Sequence, residues 1–114
     1  MADLFHECGV AAVYHLPHDG VSRFLPRENP SDTARVMPRL LLEIQNRGQL
    51  AAGMSAFDPD RPELLHTYKD VGTVTEVFHL NHQNEYDTLM KSLGGTAAIG
   101  HTRYATCGKD DVNN

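Results

Sequence analysis

Glu7-Cys8-Gly9-Val10-Ala11-Ala12-Val13-Tyr14-His15 places a thiol at the start of a short apolar run, close to the beginning of the chain. Gly9 to His15 predicts a buried strand, because an apolar run of this length gains most by leaving water. A short clip after Glu7 would make Cys8 the first residue. It would then carry its own nucleophile and its own base, the thiol and the freed α-amino group. That amine has an unperturbed pKa of about 8 and can take the thiol proton and later return it to a leaving amine. Attack on a carboxamide would give a thioester and ammonia. The competing reading of Cys8 is a small buried hydrophobe at a strand edge.

Outward from this strand, Pro17, Gly20, Pro26 and Pro30 break the next stretch into loop. Ser31 or Asp32 is placed to cap a helix after Pro30. Ala34, Met37, Leu40, Leu41 and Ile44 recur at spacings of three and four, one face of that helix. Pro38 should kink or delay it, since proline lacks the N–H and clashes with the preceding turn. Gly48 is its expected stop, beside Arg47, whose charge suits a helix C-terminus. Ala51 to Phe57 predicts a second strand, and Leu64 to Lys69 a third, joined as a hairpin across Asp58-Pro59-Asp60-Arg61-Pro62. Gly72 to Leu80 reads two ways: its β-branched residues favour a strand, but Val74, Val77 and Phe78 have helical spacing. Glu85 to Leu93 predicts a short amphipathic helix stopped by Gly94-Gly95, and Thr96 to His101 a last strand. Strands with segregated helices give an α+β layered fold.

The chain has 114 residues and a net charge of −5, with Lys and Arg scattered, which argues against a nucleic-acid surface. No run of about 18 apolar residues occurs, so no membrane-spanning helix is expected. The first seven residues have neither a basic region nor a long apolar stretch, and do not read as a secretory signal. Cys8 and Cys107, far apart, then read as free thiols in a reducing cytoplasm. The seven histidines fit no closed metal set with these cysteines, although His79 and His82 could share a helix face. The expectation is no metal.

Arg47 and Arg103 each have an ordinary reading, a helix-end charge and a strand-end charge. Together with Cys8 they acquire another, because the planar guanidinium grips a carboxylate through two hydrogen bonds. Tyr104 beside Arg103 reads as strand-end packing or as a lid, and Thr106 to Gly108 as the loop that follows.

Four motifs in order carry a resemblance: Glu7-Cys8-Gly9-Val10; Gln45-Asn46-Arg47-Gly48-Gln49 with Ala52-Gly53; Lys69-Asp70-Val71-Gly72 before Val77-Phe78; and Gly100-His101-Thr102-Arg103-Tyr104-Ala105-Thr106 with Gly108. The chain resembles the N-terminal part of a class II glutamine amidotransferase of the N-terminal-nucleophile type, and within that group the amidophosphoribosyltransferases. The sister family that makes glucosamine phosphate is the alternative, and a truncated non-catalytic binding module is another. The sister family tends to carry Tyr-Arg-Gly-Tyr where Asn46-Arg47-Gly48-Gln49 stands and Trp where Tyr104 stands, and it starts directly with Met-Cys. Asn46, Leu50 and Cys107 depart from the commoner residues of the favoured group, and none of them removes a catalytic group.

The resemblance implies a four-layer αββα sandwich, of which residues 8–114 would be a part, and residues 1–7 would be a self-removed propeptide. It implies Cys8 as nucleophile, with Arg47 supporting its surroundings. Arg103 would hold the glutamine α-carboxylate, while Tyr104, Thr106 and Gly108 would close over the substrate. The family's Asn-Gly oxyanion pair, its amine-binding aspartate and its phosphoribosyltransferase domain lie beyond Asn114, so the chain is expected to be a fragment, weakly active or inactive alone. A full-length parent would be a homo-oligomer, with magnesium at its phosphoribosyl site and, in some members, an iron–sulfur cluster. No cofactor is expected in this chain.

Overall fold

The computed structural model describes residues 8–16, 30–45 and 49–104. Strands β1 (Gly9–Tyr14), β2 (Gln49–Phe57), β3 (Leu65–Val71) and β4 (Ala97–Tyr104) form one sheet in the order β1-β4-β2-β3. All neighbours are antiparallel. The expected hairpin is present, running from Phe57 opposite Leu65 to Ala51 opposite Val71. The last strand extends past His101 to Tyr104, because β4 is central and finds partners on both sides, β1 and β2. The Arg103 motif is therefore part of the sheet.

One face of the sheet carries the helices. Residues Pro30–Val36 form a 3₁₀ helix that runs into α1 (Met37–Ile44). Pro38 sits in the first turn of α1, where its missing N–H costs nothing, so it delays the helix without breaking it. The predicted caps are not used. The N-cap of α1 is Val36, with no side-chain hydrogen bond. Asp32 instead pairs with Arg35 at 2.9 Å, and the Ser31 carbonyl accepts from the Gly95 N–H at 2.7 Å. The stop also comes earlier than Gly48, which lies outside the described residues: Gln45 is already extended.

The ambiguous stretch resolves to helix. Gly72 takes φ 135°, a conformation open to glycine, and turns the chain out of β3. Helix α2 (Val74–Val77) follows at once. Its start is a capping box: the Thr73 hydroxyl accepts from the Glu76 N–H, and the Glu76 carboxylate accepts from the Thr73 N–H. That pairing holds the Glu76 carboxyl below the usual range, the Thr73 backbone bond first and its hydroxyl second. Helix α3 (Gln83–Ser92) buries the expected stripe of Tyr86, Leu89, Met90 and Leu93.

The core lies between this helical layer and the sheet. Ala34, Met37 and Leu41 meet Ala52, Met54, Ala56 and Ala98, with Val74, Val77, Phe78 and Leu93 closing the end near β3. The small residues Gly9 of β1 and Gly100 of β4 let α1 seat directly on those strands. At Gly100 a Cβ would lie 2.7 Å from the Met37 Sδ. The Tyr68 hydroxyl donates to the Val77 carbonyl at 2.7 Å. Burial, and then the nearby Asp70, pushes the Tyr68 phenol above its ordinary pKa.

The other face is open among the described residues. Val10 is 78% exposed, and Tyr14, Leu65 and Ile99 are each more than 60% exposed. A groove of about 470 Å³ runs over Ala12, Tyr14, Ser55, Phe57, Leu65 and Ile99. The expectation that Gly9–His15 is buried throughout is therefore half met. Gly9, Ala11 and Val13 turn towards the helices, and Val10, Ala12 and Tyr14 turn away. The apolar run reads as buried because both of its sides are apolar, but only one side is packed. The architecture is α+β, a helical layer on an antiparallel sheet.

Candidate active site at the Cys8 end of the sheet

Cys8 is exposed and stands one residue before β1. Its neighbour Gly9 is clamped. The Gly9 N–H donates to the Thr102 Oγ1 at 3.1 Å, and Gly9 pairs with Thr102 in the β1–β4 register. A Cβ at Gly9 would come within 2.8 Å of the Thr102 Oγ1 and 2.9 Å of the Ile44 Cδ1. A side chain there would force the Thr102 hydroxyl and the Ile44 side chain to shift. The thiol therefore projects from a fixed backbone rather than from a fraying terminus.

Register and alternation place the neighbours. Gly9 and Thr102 share the helix-facing side, so Val10 and His101 share the open side. One step further along the antiparallel register, Cys8 falls opposite Arg103, on that same open side. Arg103 is half-buried, flanked across β2 by Ala51. The Cys8 thiol and the Arg103 guanidinium thus belong to neighbouring positions at one end of one face.

Tyr104 does not join them. Alternation turns it to the packed side with Thr102, and only 3% of it is exposed, so its place in this sheet is a packed one. Arg47, Thr106 and Gly108 lie outside the described residues, as do the leader 1–7 and Cys107. His15, which flanks the strand end, is half-buried with its N–H bonded to the Thr96 carbonyl at 2.8 Å. His79 and His82 do not share a helix face: His79 is in a turn at φ 54°, its imidazole 3.0 Å from Glu85, and His82 is the N-cap of α3. Among the described residues, no three His, Cys, Asp or Glu side chains converge as metal ligands, and no helix is long and apolar enough to cross a membrane.

Two residues that hold the site together carry no role in the sequence reading. Thr102 is fully buried and supplies the acceptor for Gly9. Gln49 is buried where β2 begins, paired with Tyr104. Its amide donates to the carbonyls of Ala51 at 2.8 Å and Gly72 at 2.6 Å, and its Oε1 accepts from the Val74 N–H at 3.0 Å. One side chain thus ties the β2–β4 end of the sheet to the β3–α2 turn. Both residues stand inside the quoted motifs, and that membership was the only available signal. Thr102's partner is 93 residues away, and two of Gln49's three partners are 23 and 25 residues away.

No protein-family model matches the chain, and no solved structure gives a significant match. Characterised proteins do match. The amidophosphoribosyltransferase of Synechococcus elongatus is 35% identical over 107 residues, which is 94% of this chain and 17% of that protein. The amidophosphoribosyltransferase of Drosophila melanogaster is 31% identical over 114 residues, 100% of this chain and 18% of that protein. The chloroplastic amidophosphoribosyltransferase 1 of Arabidopsis thaliana is 32% identical over 108 residues, 95% of this chain and 15% of that protein. The chain therefore spans less than a fifth of the length of these relatives.

Proposed function

This chain belongs to the amidophosphoribosyltransferase family along the stretch it shares with those relatives, and from that premise we propose that it forms part of a glutaminase site. The site releases ammonia from glutamine for transfer to phosphoribosyl pyrophosphate, giving 5-phosphoribosylamine for purine synthesis. The observation that carries this reading is the shared face of Cys8 and Arg103, with Gly9 locked to Thr102 behind the thiol.

The residues divide the work as follows. Removal of residues 1–7 frees the Cys8 α-amine. Arg103 grips the glutamine α-carboxylate by its two-pronged hydrogen bonding, which sets the side-chain carboxamide against the thiol. The amine takes the thiol proton, and sulfur attacks the amide carbon. The C–N bond breaks as the ammonium returns its proton to the leaving nitrogen, so a thioester and ammonia result. Water then cleaves the thioester to glutamate and regenerates the thiol. Arg47 supports the nucleophile, and Thr106 and Gly108 belong to the segment that closes over glutamine. Tyr104, packed beneath the sheet, anchors the strand from which that segment departs.

A second sheet laid on the open face would complete the αββα sandwich, and the exposed Val10, Tyr14, Leu65 and Ile99 support that reading. The oxyanion donors, the aspartate for the substrate amine and the phosphoribosyltransferase domain belong to other parts of a longer cytoplasmic, homo-oligomeric protein. Removing a single oxyanion donor costs about 10²–10³ in rate, so these 114 residues alone are at most weakly active. An iron–sulfur cluster takes four thiolates, and this chain has two cysteines, so a cluster would need ligands from other parts of the protein.

The test is Cys8→Ala in the full-length protein. Glutamine-dependent synthesis should be abolished while ammonia-dependent synthesis persists. Equal loss of both would make Cys8 a structural residue and overturn the assignment.

A further inference from the structure

Strand β2 carries one residue too many for β4. Gln49 stands opposite Tyr104 and Ala51 opposite Arg103, so Leu50 has no partner in that ladder. Such a bulge bends its strand and re-aims what lies beside it. Here it is held firmly. The Leu50 carbonyl accepts from the Gly72 N–H at 2.6 Å, and the Gln49 amide donates to the Ala51 and Gly72 carbonyls at 2.8 Å and 2.6 Å. The Arg103 end of the sheet is thereby fixed to the turn that opens α2.

The same turn reaches towards the Cys8 strand. Val74 is the first residue of α2, a position whose N–H has no acceptor within its own helix. It donates to two side chains at once, the Gln49 Oε1 at 3.0 Å and the Gln45 Oε1 at 3.3 Å. Gln45 closes α1, where the backbone turns extended. Its neighbour Ile44 lies against Gly9: a Cβ on that glycine would be 2.9 Å from the Ile44 Cδ1. The β1–β4 ladder ends at Gly9, so Cys8 stands one residue beyond it and depends on what packs there. One N–H thus joins the end of α1, seated on the residue after Cys8, to the bulge opposite Arg103.

We propose that Gln45 is a positioning residue for the glutamine site: its Oε1 on the Val74 N–H holds the end of α1, and with it Gly9 and Cys8, in place against the bulge opposite Arg103. This role rests on the reading of Cys8 as nucleophile and Arg103 as carboxylate grip. Without the Gln45 acceptor, the Val74 N–H keeps Gln49, so α2 and the bulge stay. What is lost is the support behind Gly9, and the thiol drifts relative to a glutamine still gripped at Arg103.

The experiment compares full-length wild type with Gln45→Met, which removes the acceptor at similar length, and Gln45→Glu, which keeps it. Each is labelled at Cys8 with a glutamine-analogue alkylating reagent, which needs thiol and carboxylate grip together, and with iodoacetamide, which needs only the thiol. Gln45→Met should slow the saturated analogue reaction and glutamine kcat several-fold, with KM and the iodoacetamide rate within about two-fold, as misplacement of a bound substrate does. Gln45→Glu should react like wild type, and ammonia-dependent synthesis should persist in both variants. The proposal is overturned if Gln45→Met slows both reagents equally or neither, if Gln45→Glu is as slow as Gln45→Met, or if ammonia-dependent synthesis is lost as well. A folded wild type that takes no analogue label at Cys8 overturns the glutaminase reading and this one with it; a labelled wild type matched by Gln45→Met overturns this one alone.

Discussion

The N–H of Gly9 and the hydroxyl of Thr102 meet one residue from Cys8. The bond between them is one contact of 3.1 Å, and it fixes where the thiol starts. Thr102→Val keeps the shape but removes the acceptor. A fully buried donor left unpaired costs about 1–3 kcal/mol; the Gly9 N–H is part-buried, so the loss falls towards the low end, which chemical denaturation would register, and alkylation at Cys8 should slow with it. Gln49→Leu removes the side-chain donor to two carbonyls and leaves the Val74 N–H with only its longer bond to the Gln45 Oε1 at 3.3 Å, so it should destabilise at least as much as Thr102→Val; an unchanged midpoint would refute the hub role. As candidates, Cys8 and Arg103 were legible because their chemistry is rare and their motifs are local. Thr102 and Gln49 were not, because a hydroxyl or an amide gains meaning only when folding brings distant backbone to it.

At the scale of elements, the helical spacing of Met37, Leu40, Leu41 and Ile44 gave α1, and alternation gave the hairpin. The misplacements have local causes. Pro38 is harmless in a first turn, so a 3₁₀ helix takes up the residues before it and the cap shifts from Ser31 or Asp32 to Val36. Gly72 to Leu80 was undecided because apolar spacing fits both periods over so few residues; the Thr73-x-x-Glu76 capping box was the deciding signal. Thr73→Ala should lower Tm at neutral pH. Glu76 has a depressed folded pKa, so its contribution is present above the unfolded carboxyl pKa and is lost as pH falls through the folded value. The difference in Tm between Thr73→Ala and wild type should therefore shrink in strong acid. A difference constant down to pH 2 would contradict the reciprocal cap.

For the whole molecule, the two faces of the sheet predict opposite sensitivities. Leu41 is fully buried against β4, and Leu41→Ala should cost about 2–5 kcal/mol. Ile99→Thr and Leu65→Thr, on the open face, should leave the stability of the 114-residue chain nearly unchanged and reduce its self-association, measured by light scattering. Large destabilisation by either threonine would mean that the face is already packed. Acid acts on the same face. His101 has a lowered folded pKa, so the unfolded chain binds its proton first, and stability should decline as pH drops from about 6.5 towards the folded value. The α+β class was legible because it needs only the order of elements. The openness of one face was not, since apolar residues on both sides of β1 look alike whether or not a second layer covers them.

The most direct test of the glutaminase account is the intact mass of the full-length protein with and without a glutamine-analogue alkylating reagent. The account predicts loss of residues 1–7 and a single adduct, mapped by peptide sequencing to Cys8 and absent from Arg103→Ala. A folded protein that keeps its leader and takes no label, or takes it on Cys107 instead, would contradict it.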